Sequence, residues 1–298
     1  MQLPHRLIRR IEESSTIDRI ADPLAKLAGP LATRPRLTSA LTGRWLGHSV
    51  HPMIVTVPLG SWLGATILDA TSPGTAAARR LVGAGVLCAA PAALTGTADW
   101  LDTSGAERRV GVVHALANDV AVGLFAFSWL ARRRGSNTTG IALGAIGLGA
   151  LGIAGYLGGH LAYVRGVGVN TTAFQSGPDT WQRIADLDDL SADEPTQIDV
   201  DGLALVAVRR EDSVAVLEAR CTHRGGPLSE GEVADGCVRC PWHGSLFSLD
   251  DGSVERGPAS IPQPSYRVRH VDSSVEIERD EPGGLRVNPV GARRGTAN

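Results

Sequence analysis

Four apolar stretches follow one another between residues 51 and 163, roughly Pro52 to Leu68, Leu81 to Ala98, Val110 to Ala131 and Thr139 to Leu161. Each is close to the ~20 residues an α-helix needs to cross ~30 Å of hydrocarbon. Taken singly, such stretches also suit buried core helices. Four in succession predict a four-helix transmembrane bundle, because only helices and closed barrels satisfy their backbone groups in lipid. The joining segments are short and charged: Arg79 and Arg80, then Asp102, Glu107, Arg108 and Arg109, then Arg132, Arg133 and Arg134. In the fourth stretch, glycines spaced by four (Gly140 and Gly144, Gly155 and Gly159) favour close approach of helix backbones.

The rest of the chain is different in character. Residues 1–50 carry Leu7, Ile8 and Ile11, then Ile17, Ile20, Leu24 and Leu27, at helical spacing among Arg and Glu. This predicts amphipathic helices at the membrane surface, with a helix packed on the soluble part as the alternative. The opening MQLPHRLIRRIEESS lacks the apolar core of a cleavable signal. A linker is expected over 164–180, which is rich in Gly, Asn, Thr and Ser. Short alternating runs follow (QIDVDG, LALVAVRR, SVAVLEA, CVRC, SLFSLD, YRVRHV, SVEIER), separated by turn residues. They predict a small antiparallel β domain over 181–280, with a mobile tail at 281–298. The fold class is therefore membrane α plus all-β. A formal charge of −2 gives no reason to expect a nucleic-acid partner.

The β region contains the chemistry. CTHRGG (221–226) and CPWHGS (240–245) each place a cysteine and a histidine on one expected turn. Two thiolates and two imidazoles can hold zinc tetrahedrally, although zinc sites more often pair Cys with Cys and His with His. Mixed pairs suit a two-iron centre in which Cys221 and Cys240 hold one iron while His223 and His243 hold the other. Cys237, three residues before Cys240, reads as a small apolar strand residue.

These two boxes resemble the cluster-binding motifs of Rieske [2Fe-2S] proteins, and Gly257-Pro258-Ala259 is similar to the proline loop that covers the cluster in that family. The resemblance extends over about residues 180–280. It implies a [2Fe-2S] cofactor, one-electron chemistry and four ligands, Cys221, His223, Cys240 and His243. It also points to Ser245, Trp242, Gly226 and Pro258 as neighbours of the cluster. The loop disulfide of the quinol-oxidising members is not expected, since its positions correspond to Gly226 and Trp242. Ser245 keeps a hydroxyl that in those members donates to a sulfide, whereas Phe247 replaces a tyrosine. Hydrogen bonds to cluster sulfurs stabilise the reduced state, so a low-to-intermediate potential is expected. The absence of a disulfide is compatible with a reducing compartment, which favours a cytoplasmic cluster domain.

GHSVHPMIVTVPLGSWLGATILD, PAALTGTADW and GYLGGHLAY resemble a family of bacterial four-span membrane domains of unknown function, often joined to Rieske domains. An integral protein of a bacterial cell membrane is implied. Counting spans puts His51, Asp99, His114 and His160 toward one end of the bundle, with Asp119 deeper. Ionisable groups in a span usually face a bundle interior or a pathway, which makes this layer a candidate site for haem b or a quinone, with a transition metal as a further option. An interfacial role for the histidines is the alternative.

The leading expectation is a membrane-anchored electron carrier whose partners are the lipid bilayer and a redox protein or quinone. Alternatives are a quinone- or haem-linked oxidoreductase and a non-catalytic redox sensor or complex subunit. An oxygenase is disfavoured, because residues 246–298 contain a single histidine, His270, and leave no room for a mononuclear iron domain.

Overall fold

A computed structural model describes residues 3–211 and 213–279. The expected tail at 281–298 lies outside the described residues. The chain divides into two compact units, residues 1–168 and 169–298.

The first unit is helical: α1 (Leu3–Glu13), α2 (Asp18–Ala32), α3 (Pro35–Thr42), α4 (His51–Thr71), α5 (Ala76–Leu101), α6 (Gly105–Arg133) and α7 (Asn137–Gly159), the last ending in a π-helical turn, His160–Val164. Helices α4 to α7 are long and apolar enough to cross a membrane. Helices α4, α5 and α6 outrun their apolar stretches at both ends, and in α5 and α6 the flanking Arg79, Arg80, Glu107, Arg108, Arg109, Arg132 and Arg133 are themselves helical. Thr75 starts α5 by accepting the Ala78 N–H on its hydroxyl at 3.1 Å, which satisfies one of the orphan donors of the first turn. Helix α4 packs along α5 and α6 along α7, and the two hairpins meet through α5 with α6 and α4 with α7.

Small residues on α5 and α7 form sockets for large ones on α4 and α6. A Cβ on Gly85 would stand 2.4 Å from Trp62 Nε1, and one on Gly147 would stand 3.1 Å from Phe125 Cε2. On α7, Gly140, Gly144, Gly147, Leu151 and Ala154 are buried in steps of four and three, the spacing of one helix face. Gly155 and Gly159 lie off that face and would meet nothing if they carried a Cβ. Only the Gly140/Gly144 pair makes the close approach that the four-residue spacing predicts.

The N-terminal helices are tied to the bundle. Ile8 of α1 is buried with Val110 and Leu157. Arg109 binds both carboxylate oxygens of Asp18, at 2.8 and 2.6 Å, and donates to the Glu12 carbonyl at 2.7 Å. The Glu12 carboxylate in turn takes His160 Nε2 at 2.9 Å and Arg165 Nε at 2.8 Å. Burial works against the charge of Glu12, but these two partners outweigh it and hold the carboxyl below its ordinary range.

The second unit contains three antiparallel sheets. The first orders β1 (Gln182–Asp186), β10 (Ser274–Arg279) and β9 (Tyr266–Val271). The second contains β2 (Pro195–Val200), β3 (Leu203–Arg209) and β4 (Val214–Glu218). The third contains β5 (Glu232–Ala234), β6 (Cys237–Arg239), β7 (Leu246–Ser248) and β8 (Val254–Arg256). Strands β3 and β4 are buried on both faces. Val206, Val208, Ala215 and Leu217 enter the core shared with Phe247, while Leu205, Ala207, Val214 and Val216 enter the one shared with Tyr266 and Ile277. Their near-continuous apolar runs follow from that double burial. Between β5 and β6, Asp235 (φ 51) and Gly236 (φ 72) make a two-residue hairpin, so β6 runs directly into Cys240.

Candidate functional site

Two loops of matching geometry carry the four expected ligands. In the first, after β4, Cys221 N–H donates to the Gly226 carbonyl at 2.9 Å and Gly225 N–H to the Cys221 carbonyl at 2.8 Å. In the second, between β6 and β7, Cys240 N–H donates to the Ser245 carbonyl at 2.8 Å and Gly244 N–H to the Cys240 carbonyl at 3.0 Å. Each closes through a left-handed glycine, Gly225 (φ 74) and Gly244 (φ 73), a conformation that a residue with a Cβ rarely adopts.

Both cysteines are buried, at 1 % and 2 % exposure, and both are free thiols. Backbone N–H groups of His223 and Arg224 point at Cys221 Sγ, and those of Trp242 and His243 point at Cys240 Sγ, so each loop is built to hold a thiolate. The two thiols are within hydrogen-bond reach. The bond from Cys221 holds Cys240 below the ordinary thiol range, and the same bond, with burial and the charge of Cys240, pushes Cys221 up. The imidazoles of His223 and His243 lie edge to face, with centroids 5.2 Å apart. Burial, helped by the charges of His243 and Arg224, lowers His223 to about 3, which keeps its lone pair available to a metal.

The donor set fits a two-iron cluster. No three His, Cys, Asp or Glu side chains among the described residues are arranged around a single ion, as a tetrahedral zinc would require. Two protein ligands per iron demand no such arrangement. Gly226 is matched to the site, since a Cβ there would strike Cys240 Sγ at 2.8 Å and Trp242 Cγ at 3.1 Å. Trp242 itself is 58 % exposed and stands edge-on to His243, which is also exposed.

A third segment is bonded to both loops. Ser245, fully buried, accepts the Ala259 N–H on its hydroxyl oxygen at 3.0 Å, next to the cis Gly257-Pro258 bond. Thr222 donates its hydroxyl to the Ile261 carbonyl at 2.8 Å and its N–H to Gln263 Oε1 at 3.0 Å. The Gln263 amide nitrogen spans the Glu218 and Arg220 carbonyls, both at 2.7 Å. From the N-terminal side, Thr171 donates its hydroxyl to the Cys221 carbonyl at 2.7 Å. Sequence reasoning missed Thr171, Thr222 and Gln263. Their only signal was polar character in segments that otherwise read as loops.

In the helical unit the residues of the expected polar layer have different immediate partners. His51 Nδ1 meets the Ala92 carbonyl at 3.0 Å, and His114 Nδ1 meets the Ala154 carbonyl at 2.8 Å. Asp99 accepts from Ser49, His160 is bound to Glu12, and Asp119 lies on an exposed face of α6.

Comparison with known proteins bears on both units. A family model described as Rieske [2Fe-2S] domain matches residues 180–267, and one described as Predicted membrane protein (DUF2231) matches residues 47–171. The anthranilate 1,2-dioxygenase ferredoxin subunit of Burkholderia cepacia is 32 % identical over 97 residues, covering 33 % of this chain and 90 % of that protein. The chain belongs to the Rieske [2Fe-2S] family. Ferredoxin CarAc of Metapseudomonas resinovorans is 26 % identical over 98 residues, 33 % of this chain and 92 % of that one. Among solved structures, the ferredoxin of carbazole 1,9a-dioxygenase from Nocardioides aromaticivorans IC177 is 29 % identical and covers 34 % of this chain and 99 % of that one, with a TM-score of 0.33. Against larger relatives the chain spans only a small part of the other protein, 15 % in the case of apoptosis-inducing factor 3 of Mus musculus. The C-terminal unit is thus a [2Fe-2S] Rieske domain similar to ferredoxins, in one chain with a predicted membrane domain.

Proposed function

We propose that this chain is a membrane-anchored one-electron carrier. In this reading Cys221 and Cys240 hold one iron of the cluster and His223 and His243 hold the other. The four helices of 51–163 are the anchor, 164–180 the linker and 181–280 the electron-carrying domain. The observation that carries the reading is the pair of matching loops, each with a buried sulfur and an imidazole beside it. The bound cluster supplies the capacity to take and give one electron. The chain's own residues hold the sulfurs dry, direct backbone N–H groups at them and leave the His243 edge open beside Trp242. That edge is where a partner would come close enough for electron exchange.

The relatives' names point to an electron-accepting enzyme as the class of partner, with a membrane quinone as the other option. We place the protein in a bacterial cell membrane with the cluster domain on the cytoplasmic side, a reading supported by Gly226 and Trp242 standing where the loop disulfide of the quinol-oxidising relatives would need cysteines, so that the site can assemble in a reducing compartment.

The test is an EPR-monitored redox titration of the full chain in detergent. A dithionite-reduced signal of a histidine-ligated two-iron cluster, with about two irons per chain, is expected. Its midpoint should fall well below the ~+300 mV upper end for Rieske centres. A chain that binds zinc and gives no such signal would refute the reading.

Ser245 offers a finer check. Its oxygen already accepts from Ala259, so the hydroxyl hydrogen is free to donate to a cluster sulfur. Losing that bond should cost the reduced state about 1–2 kcal/mol more than the oxidised state. At ~59 mV per tenfold for one electron, Ser245→Ala is expected to lower the midpoint by roughly 40–90 mV with cluster content unchanged. An unshifted midpoint would remove Ser245 from the tuning shell.

A further inference from the structure

The four spans contain a repeat. A shift of 63 positions carries Asp69 of α4 onto Arg132 of α6. The same shift carries His51 onto His114, Val57 onto Val120, Gly60 onto Gly123 and Trp62 onto Phe125. A shift one shorter relates α5 to α7, bringing Ala92 onto Ala154, Gly96 onto Gly158 and Gly85 onto Gly147. The contacts repeat as well. Trp62 packs over Gly85 as Phe125 packs over Gly147, and His51 packs over Gly96 as His114 packs over Gly158. Each histidine also bonds through Nδ1 to the carbonyl four residues before its glycine.

The two halves are thus related by a pseudo-twofold axis running along the bundle, and matching residues of α4 and α6 meet across it. Trp62 and Phe125 stack, with centroids 4.3 Å apart and planes at 5°. Asp69 and Arg132 form a two-pronged ion pair at 2.8 and 2.6 Å. His51 and His114 are a third matched pair by the same shift, on the same side of each helix three turns before the aromatic layer.

The tethers determine what this pair can bind. A backbone carbonyl only accepts, so in a neutral imidazole bonded to it Nδ1 carries the hydrogen and Nε2 carries the lone pair. Fixing the far nitrogen in this way is how proteins orient a metal-binding histidine. His51 Nε2 and His114 Nε2 are therefore two lone pairs presented from opposite halves, the latter now taken by Asn118 Nδ2 at 3.2 Å. An oxidised quinone needs hydrogen-bond donors at its carbonyls, and these nitrogens are not donors. A bare transition-metal ion needs four or more ligands. The layer offers two, since Asp99 is engaged by Ser49, His160 by Glu12, and Asp119 is exposed. Two imidazoles suffice when the ligand brings the other four donors itself, as an iron porphyrin does.

We infer that the helical unit binds one haem b between its two halves, with His51 Nε2 and His114 Nε2 as the axial ligands. The small residues opposite them, Gly96 and Gly158, let each ring lie flat on the neighbouring helix, and Asn118 turns away when iron takes its acceptor. This would place a second one-electron group in the membrane part of the chain, independent of the cluster.

The test is the optical spectrum of the full chain in detergent, as purified and after addition of haemin, with haem content measured by extraction. A low-spin spectrum typical of two histidine ligands, at about one haem per chain, is expected. His51→Ala and His114→Ala should each abolish that spectrum, His114→Met should change it without abolishing haem binding, and His160→Ala should leave it intact. Cys240→Ser, which removes a cluster ligand, should also leave it intact, so the haem reading and the cluster reading can fail separately. The helical circular dichroism of the His51 and His114 variants, compared with that of the wild type, reports that the spanning helices have folded. No haem uptake by the wild-type protein, or an unchanged spectrum in the His51→Ala/His114→Ala double variant, would overturn the inference. Bound quinone in place of haem would do the same.

Discussion

Replacing Cys240 by serine is expected to give a full-length membrane protein with no iron–sulfur cluster. Iron should fall from about two per chain to near zero and the EPR signal of the reduced protein should vanish. The loss should be complete because each iron has only two protein ligands, so removing one halves its hold on the chain. Serine keeps the size but is a far weaker ligand to iron, since its hydroxyl stays protonated where the thiol becomes a thiolate. The loop itself should survive, because its closing bonds run through the backbone, from Cys240 N–H to Ser245 and from Gly244 N–H to Cys240. The second core, built on Leu205, Val214, Tyr266 and Ile277, contains neither cysteine. Circular dichroism should therefore retain the β signature, while iron analysis and EPR register the loss. Retention of a normal EPR signal in Cys240→Ser would mean that Cys240 is not a ligand. Cys237 would then be the next residue to replace, since it lies three positions away on β6.

How readily each feature could be seen in the sequence depended on how local its cause was. The ligand boxes were visible because each Cys and its His belong to one turn. Strands β3 and β4 were visible because burial on both faces leaves an unbroken apolar run. Strand β1 was missed. Its residues QRIAD are mostly half-buried, and its partner β10 comes nearly the whole domain later, with Gln182 opposite Ile277. The three-residue strands β5 and β8 were missed because so few positions carry no period. In the membrane half, the apolar runs measured lipid thickness rather than helix length, so Arg79, Arg80 and Glu107 were assigned to connections although they lie within α5 and α6. The repeat was invisible because few identities survive between α4 and α6, chiefly a histidine, a valine and a glycine. What it preserves is size and contact: an aromatic on a glycine, and a histidine beneath a carbonyl. Asp69 and Arg132 even exchange charge sign, so only the contact across the axis reveals their equivalence.

That last pair carries the largest stability effect expected in the helical unit. Arg132 is 1 % exposed and Asp69 8 %, and their two-pronged bond is extended by Arg132 Nε to Ser128 Oγ at 3.2 Å and by Ser128 Oγ to the Gly140 carbonyl at 2.6 Å. Gly140 makes room for the guanidinium, since a Cβ there would stand 2.5 Å from Arg132 Cγ. Removing one partner leaves the other charge buried and uncompensated, at a cost of about 3–5 kcal/mol. Asp69→Ala also adds to an existing cavity of about 180 Å³ lined by Thr66, Phe125 and Gly144, among others. Asp69→Ala and Arg132→Met should each lower the thermal midpoint of the detergent-solubilised protein by on the order of 10 °C. The double variant Asp69→Leu/Arg132→Met should recover most of that loss, because a buried ion pair replaced by apolar groups of similar volume is often neutral. A double-mutant cycle measures the difference directly. Losses that simply add would show that the two charges act independently, and would break the equivalence of α4 and α6 at this layer. Strong coupling would show that the two hairpins are locked across the axis at the end of the bundle opposite His51 and His114, which holds those two helices in register for the histidine layer.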